Sequence, residues 1–331
     1  MLAEYFPMRK LRKMGKENDV VIEYLSQPEV FADLFNGYVF KGKQVICAEN
    51  LEEAEREIRS FWANEKVKTS FETMKKQRDI VRNPKIYGQE VYLMVCGVEH
   101  QSKIDYSMAL RSLSYDTLEY LRQAKLIARE HKKNKDLDSK EFLSKYTKED
   151  KLIPTLTLIF YTGEERWDGA MNLEEMFASS ELLSHLAPYM VHAPLNLIWA
   201  YDVAHTERYQ SSLRKVFDLL KVSTDKDAML THVKEHEKEY SKIDQVTGRL
   251  IQQLLQLELD RNEEEWEGEI NMCKALEDLK REGYEEGRQE GRQEERELLK
   301  KVYKLHMAGT TPSEIAKECN ITEDQVLEIL E

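Results

Sequence analysis

Three polar side chains could do chemistry together: Asp79, Glu99 and Gln101. Glu99 and Gln101 end the run VYLMVCGVEHQ (91–101), whose apolar richness reads as a buried strand. Side chains alternate along a strand, so these two share a face, about 7 Å apart. A shorter strand-like run, Arg78–Arg82, lies upstream of breaks at Asn83-Pro84 and Gly88. A hairpin through that break sets the start of the first strand beside the end of the second, and so Asp79 beside Glu99. Two carboxylates on one face, with the His100 backbone carbonyl nearby, are hard oxygen ligands suited to Mg²⁺ or Mn²⁺. Such an ion lowers the pKa of a coordinated water and polarises a phosphodiester. Gln101 can hold an attacking water but cannot deprotonate it, as a lysine could. By spacing alone, an exposed turn aspartate and a Glu–Gln pair at a strand's wet end account for the pattern at least as well.

The elements around these residues follow an α/β order. Residues 1–17 read as a basic arm. Asn18–Phe40 has helical spacing, with Val21, Tyr24 and Leu25 on one face and Phe31, Leu34, Phe35 and Tyr38 on another after a break at Gln27-Pro28. Phe40–Lys43 reads as a turn and Leu51–Lys76 as a charged helix. Helical spacing returns from Ser102 to Glu130, and 131–151 is a polar loop or frayed helix end. Leu152–Tyr161 is a further buried strand, Leu195–Tyr201 is another candidate, and Tyr189, Trp199 and Tyr201 are expected in the core. The α/β part is thus expected over 18–210, followed by a helical extension over 211–262.

Residues 263–297 are acid-rich and place Gly283, Gly287 and Gly291 four apart, which predicts an extended, weakly stable helix or linker. Residues 298–331 read as a small tri-helical end of helix-turn-helix type. Its expected core is Leu298, Val302, Leu305, Ile315, Ala316, Ile321, Val326, Ile329 and Leu330, with capping patterns at Thr311-Pro312-Ser313-Glu314 and Thr322-Glu323-Asp324-Gln325. The last helix holds Glu323, Asp324, Glu328 and Glu331 and no Lys or Arg, so packing or homo-oligomerisation suits it better than major-groove reading.

A formal charge of −13 argues against binding nucleic acid over the whole surface. The charge is uneven, however. Lys75, Lys76, Arg78 and Arg82 are candidate phosphate contacts in a basic stretch beside Asp79, although solvated faces explain the charge equally well. Arg111 and Tyr115, four apart on a helix, could contact phosphate or simply pair with each other. Cys47, Cys96, Cys273 and Cys319 are far apart and form no CxxC, which points to reduced thiols, a cytoplasmic protein and no zinc site. No apolar run is long enough for a membrane span, no signal-peptide pattern is visible, and no nucleotide-cofactor motif occurs.

Several stretches, in order, resemble the recombination-promoting nuclease/putative transposase family of the PD-(D/E)XK superfamily. They are FADLFNGYVFKGKQVI (31–46), RDI (78–80), VYLMVCGVEHQS (91–102), YSMALRSLSYD (106–116), IPTLTLIFYTG (153–163) and WDGAMNLEEMF (167–177). The resemblance covers about 15–205, and the glycine tetrads and helical end also resemble family members. It implies a restriction-endonuclease-like core, a mixed central sheet flanked by helices. It also implies Mg²⁺-dependent DNA cleavage and a link to recombination or mobile DNA. Asp79 and Glu99 fall on the family's metal-binding carboxylates, and Gln101 on the usual position of the superfamily lysine. Asp33 lies on the first core helix, where the superfamily often carries an extra acid reaching the metal; a surface aspartate is the other reading. Asp19 is a more remote candidate that also suits an N-cap. Two alternatives remain open: a degenerate relative that binds DNA or protein without cutting, and an oligomeric scaffold built by the C-terminal helices.

Overall fold

The computed structural model describes residues 14–53, 57–59, 75–85, 92–178, 183–257 and 268–330. The chain divides into a compact unit over Lys13–Asn271 and a second that contains Met272–Glu331.

The larger unit opens with helices α1 (Met14–Leu25) and α2 (Pro28–Tyr38). Pro28 supplies the fixed φ of a first helical residue and follows an extended Gln27, so the chain breaks there as the sequence predicts. Helix α2 buries Val30, Phe31, Ala32, Leu34 and Phe35, nearly its whole circumference, and is therefore a core element. The turn after it takes left-handed backbone at Lys41 and Gly42, and buried Asn36 clasps the returning loop at Val45 and Ile46. Strands β1 (Leu51–Glu53), β2 (Glu57–Arg59), β3 (Lys75–Gln77), β4 (Ile80–Pro84) and β5 (Val95–Gln101) follow. Next come α3 (Met108–Asn134), β6 (Thr155–Tyr161), the short α4 (Leu183–Leu186) and β7 (Asn196–Trp199). Helices α5 (Ser212–Val222), α6 (Lys226–Glu235), α7 (Glu237–Tyr240) and α8 (Gln245–Leu255) complete the unit.

Five strands form one mixed sheet in the order β1-β4-β5-β6-β7, while β2 and β3 pair with each other. Strands β1, β4 and β5 are antiparallel neighbours, and β5, β6 and β7 run parallel. Strand β5 is central and covered on both faces, which explains why it reads as an unbroken apolar run rather than an alternation. Helix α3 covers one face with the stripe Met108, Ser112, Tyr115, Glu119 and Gln123, at the three- and four-residue steps of a helix. The other face carries α1, α2 and α5, tied together by Tyr24 Oη–Ser212 Oγ (2.8 Å) and by the Phe160–Phe217 ring contact. Helices α5 and α8 pack on α1 and α2, so Ser212–Leu255 belongs to the sheet-bearing unit rather than to a separate extension.

Three expectations change. The charged helix over Leu51–Lys76 is not formed where that span is described: β1, β2 and β3 are strands there. β1 is an edge strand whose partner is β4, so a long-range backbone pairing overrides the local helical spacing. Helix α3 runs on to Asn134 before a left-handed Lys135 ends it. Tyr189 is 88% exposed, and Trp199 and Tyr201 are only partly buried, so none of the three lies in the core.

In the second unit, α9 (Met272–Met307) runs unbroken through the glycine tetrads, followed by α10 (Pro312–Cys319) and α11 (Glu323–Leu330). Val302, Ile315, Ala316 and Val326 form its centre, with Leu298, Leu305, Ile321, Ile329 and Leu330 packed around them. Thr311 and Glu314 make a capping box, and Thr322 and Gln325 hydrogen-bond reciprocally. All four cysteines are free thiols. Among the described residues no helix is long and apolar enough to cross a membrane.

Two glycines should respond oppositely to alanine. A Cβ at Gly97 of β5 would lie 2.6 Å from Cδ of buried Arg78, whereas one at Gly291 of α9 meets open space. Gly97→Ala is expected to cost about 1–3 kcal/mol by overpacking. Gly291→Ala should stabilise its helix by roughly 1 kcal/mol. Denaturant melts of the two variants check both signs.

Candidate functional site

The site lies where β4 begins and β5 ends. Ile80 pairs with Val98 in antiparallel register, so the residues one step further out, Asp79 and Glu99, are neighbours. His100 lies beyond the last paired residue of β4, and its amide donates instead to Asp79 Oδ2 (2.8 Å). The Gln101 carbonyl faces β6, where it accepts from Thr162 N (2.9 Å). Backbone groups alternate sides along a strand, so the His100 carbonyl leaves β5 on the Asp79 side.

Glu99 points to the α3 face and is 5% exposed. Its Oε1 accepts from Arg111 Nη2 (2.7 Å), Tyr115 Oη (3.1 Å) and, more weakly, Gln101 Nε2 (3.4 Å). Its Oε2 is buried and has no hydrogen-bond partner. Burial, and secondarily the Asp79 charge, push the Glu99 carboxyl up to about 7, against the opposing pull of Arg111, Tyr115 and Arg78. Arg111 is held at its other end by Asp105 Oδ2 (2.5 Å), and Asp105 Oδ1 accepts from Ser107 N (2.9 Å) and Ser107 Oγ (2.7 Å). The His100 ring lies on the opposite sheet face, 2.6 Å from Asn18 Oδ1 and 2.7 Å from Thr162 Oγ1. Burial pushes its pKa down to about 4, so the ring is neutral near pH 7.

Asp79, Glu99, Gln101 and the His100 backbone therefore come together, and other expected residues do not join them. Asp33 is buried, and both its oxygens accept backbone amides of Gln210 and Ser211 (2.7–3.0 Å), tying α2 to the start of α5. Among the described residues no three His, Cys, Asp or Glu side chains converge as a metal cluster, so Asp33 is not a third acid at the pair. Arg78, expected at a phosphate, is instead 1% exposed; Nη1 lies 3.4 Å from Thr157 Oγ1 and 4.0 Å from Asp116 Oδ1. Its burial lowers its pKa. Arg82 is also turned inward, donating to the Ser26 carbonyl (2.6 Å) over the Phe31 ring. Both corrections have one cause: Arg82 in β4 and Arg78 just before it lie where helices cover the sheet. Arg111 bridges two carboxylates rather than standing free for phosphate. The backbones of Lys75 and Lys76 lie in β3, but their side chains fall outside the described residues.

The sequence reading missed Asp105. Its only local signal was the Asp105-Tyr106-Ser107 turn chemistry just ahead of α3. The expected Arg111–Tyr115 pair does form (Nη2 to Oη 3.1 Å), and both side chains also donate to Glu99.

The residues present suit a divalent ion. A buried carboxylate oxygen with no hydrogen-bond partner, beside a second carboxylate and a carbonyl, offers hard oxygen donors to such an ion.

Glu99 should also set a pH dependence of stability. It binds its proton more tightly in the fold, at about 7, than at the ordinary 4.5, so folded stability falls as pH rises between those values. Glu99→Gln cannot ionise and should escape that loss. The variant is expected to melt near the wild type at pH 4.5 and several degrees above it at pH 8, equivalent to about 1–3 kcal/mol. Melts across that range decide it; a variant less stable than wild type at pH 8 speaks against the reading.

Comparison with known proteins adds one match. The model of the family described as "Putative transposase, YhgA-like" matches residues 72–247, which include every residue of the Asp79–Glu99 cluster. No curated protein and no solved structure matches the chain.

Proposed function

Because this chain belongs to the YhgA-like transposase family, whose members are PD-(D/E)XK nuclease-like transposases, we propose that it is a divalent-metal-dependent DNA endonuclease acting on recombining or mobile DNA. Its mixed sheet is read here as a restriction-endonuclease-like core. The observation that carries the proposal is the bare, buried Oε2 of Glu99 beside Asp79. In this reading Asp79, Glu99 and the His100 carbonyl hold Mg²⁺ or Mn²⁺. When bound, the ion supplies the Lewis acidity that polarises the phosphodiester and offsets the charge built up during hydrolysis.

The chain's own groups do the rest. Asp79 binds through one oxygen to the His100 amide, which fixes its carboxylate at the end of β5. Glu99 is held through Oε1 and keeps Oε2 for ligation. Half-buried Gln101 at the strand end can orient a water through its amide, but an amide takes no proton from it. Deprotonation thus does not fall to Gln101.

One observation favours a second reading, a relative that binds DNA without cutting. The guanidinium of Arg111 already lies 2.7 Å from Glu99 Oε1 and could serve as a resident counter-charge. Nicking of supercoiled plasmid with and without Mg²⁺ separates the readings. The endonuclease should nick only with the metal, and Asp79→Ala should slow it on the order of 100-fold or more. Equal traces for the two proteins would reject the enzyme.

A further inference from the structure

Glu99 Oε1 is saturated and Oε2 is bare, and the chain of contacts behind Oε1 is continuous. Ser107 donates twice to Asp105, Asp105 grips one end of Arg111, and the other end grips Glu99 and Tyr115. The first turn of α3 is thereby fastened to the end of β5 by one planar guanidinium, whose rigid fork suits two carboxylates at once.

We infer that Arg111, anchored by Asp105, is a positioning residue. It fixes Glu99 through Oε1 and leaves Oε2 as the ligating oxygen. The inference rests on the metal reading of the Asp79–Glu99 pair. It makes Arg111 a permanent part of the site rather than a substitute for the ion. Its charge opposes cation binding even as its geometry makes the bound arrangement productive, so affinity and rate should separate when it is removed.

Calorimetric titration with Mn²⁺, alongside plasmid nicking, tests this on the full chain. Wild type should bind Mn²⁺. Arg111→Met and Arg111→Gln remove a positive charge beside the site and should bind Mn²⁺ about three-fold tighter or more. The same variants should nick at least about tenfold more slowly, because Glu99 is no longer held. Arg111→Lys should return affinity to the wild-type value but only part of the rate, since an ammonium cannot bridge both carboxylates in one plane. A purely structural arginine would weaken binding and rate together. Arg111→Met and Arg111→Gln that bind Mn²⁺ no tighter than wild type, or that nick as fast, would overturn the inference while leaving the metal reading intact. Wild-type protein that binds no Mn²⁺ would overturn both.

Discussion

A carboxylate removed from water must find donors or a positive charge, and Glu99 has found only half of what it needs. One oxygen is surrounded by Arg111, Tyr115 and Gln101; the other is buried without a partner, next to the Asp79 charge. Leaving such a group incomplete is costly by itself. The surrounding fold maintains the arrangement: a central strand covered on both faces, a helix whose first turn supplies the arginine, and an antiparallel partner that starts just after the aspartate.

The cover of the sheet explains which charges take part. Helices lie on both faces, so arginines in and just before β4 are drawn into the interior. Arg78 fills the space left by Gly97, and Arg82 reaches the α1–α2 turn. Asp33 joins α2 to α5 through backbone amides. What remains at the open end of β5 is the Asp79–Glu99 pair, Gln101 and the Asp105–Arg111 bridge. Catalytic groups often sit where burial and charge are in conflict, and this is such a place.

Much of this was legible before any coordinates. Strands β5 and β6 announce themselves as apolar runs because both their faces are covered, β7 is short but apolar, and α3 shows a helical stripe. The hairpin argument put Asp79 beside Glu99, as the register of β4 and β5 does. The core of the C-terminal helices was readable from its spacing and caps. Strands β1 to β3 were not legible, since their short charged segments become strands only through pairing with distant residues. Burial of Arg78 and Arg82 was equally hidden, because charge in a sequence carries no sign of which way a side chain turns. Asp33 was a candidate ligand only through the family resemblance, which carried no sign of its bonds to α5. The family match over 72–247 covers the region in which these residues meet.

The central claim is that Asp79 and Glu99 grip one divalent ion. The most direct check is anomalous diffraction at the manganese edge from crystals grown with Mn²⁺ above pH 7, where Glu99 is ionised. A single anomalous peak in contact with an Asp79 oxygen, Glu99 Oε2 and the His100 carbonyl is the result this account requires. Density elsewhere, or none at the pair, would contradict it.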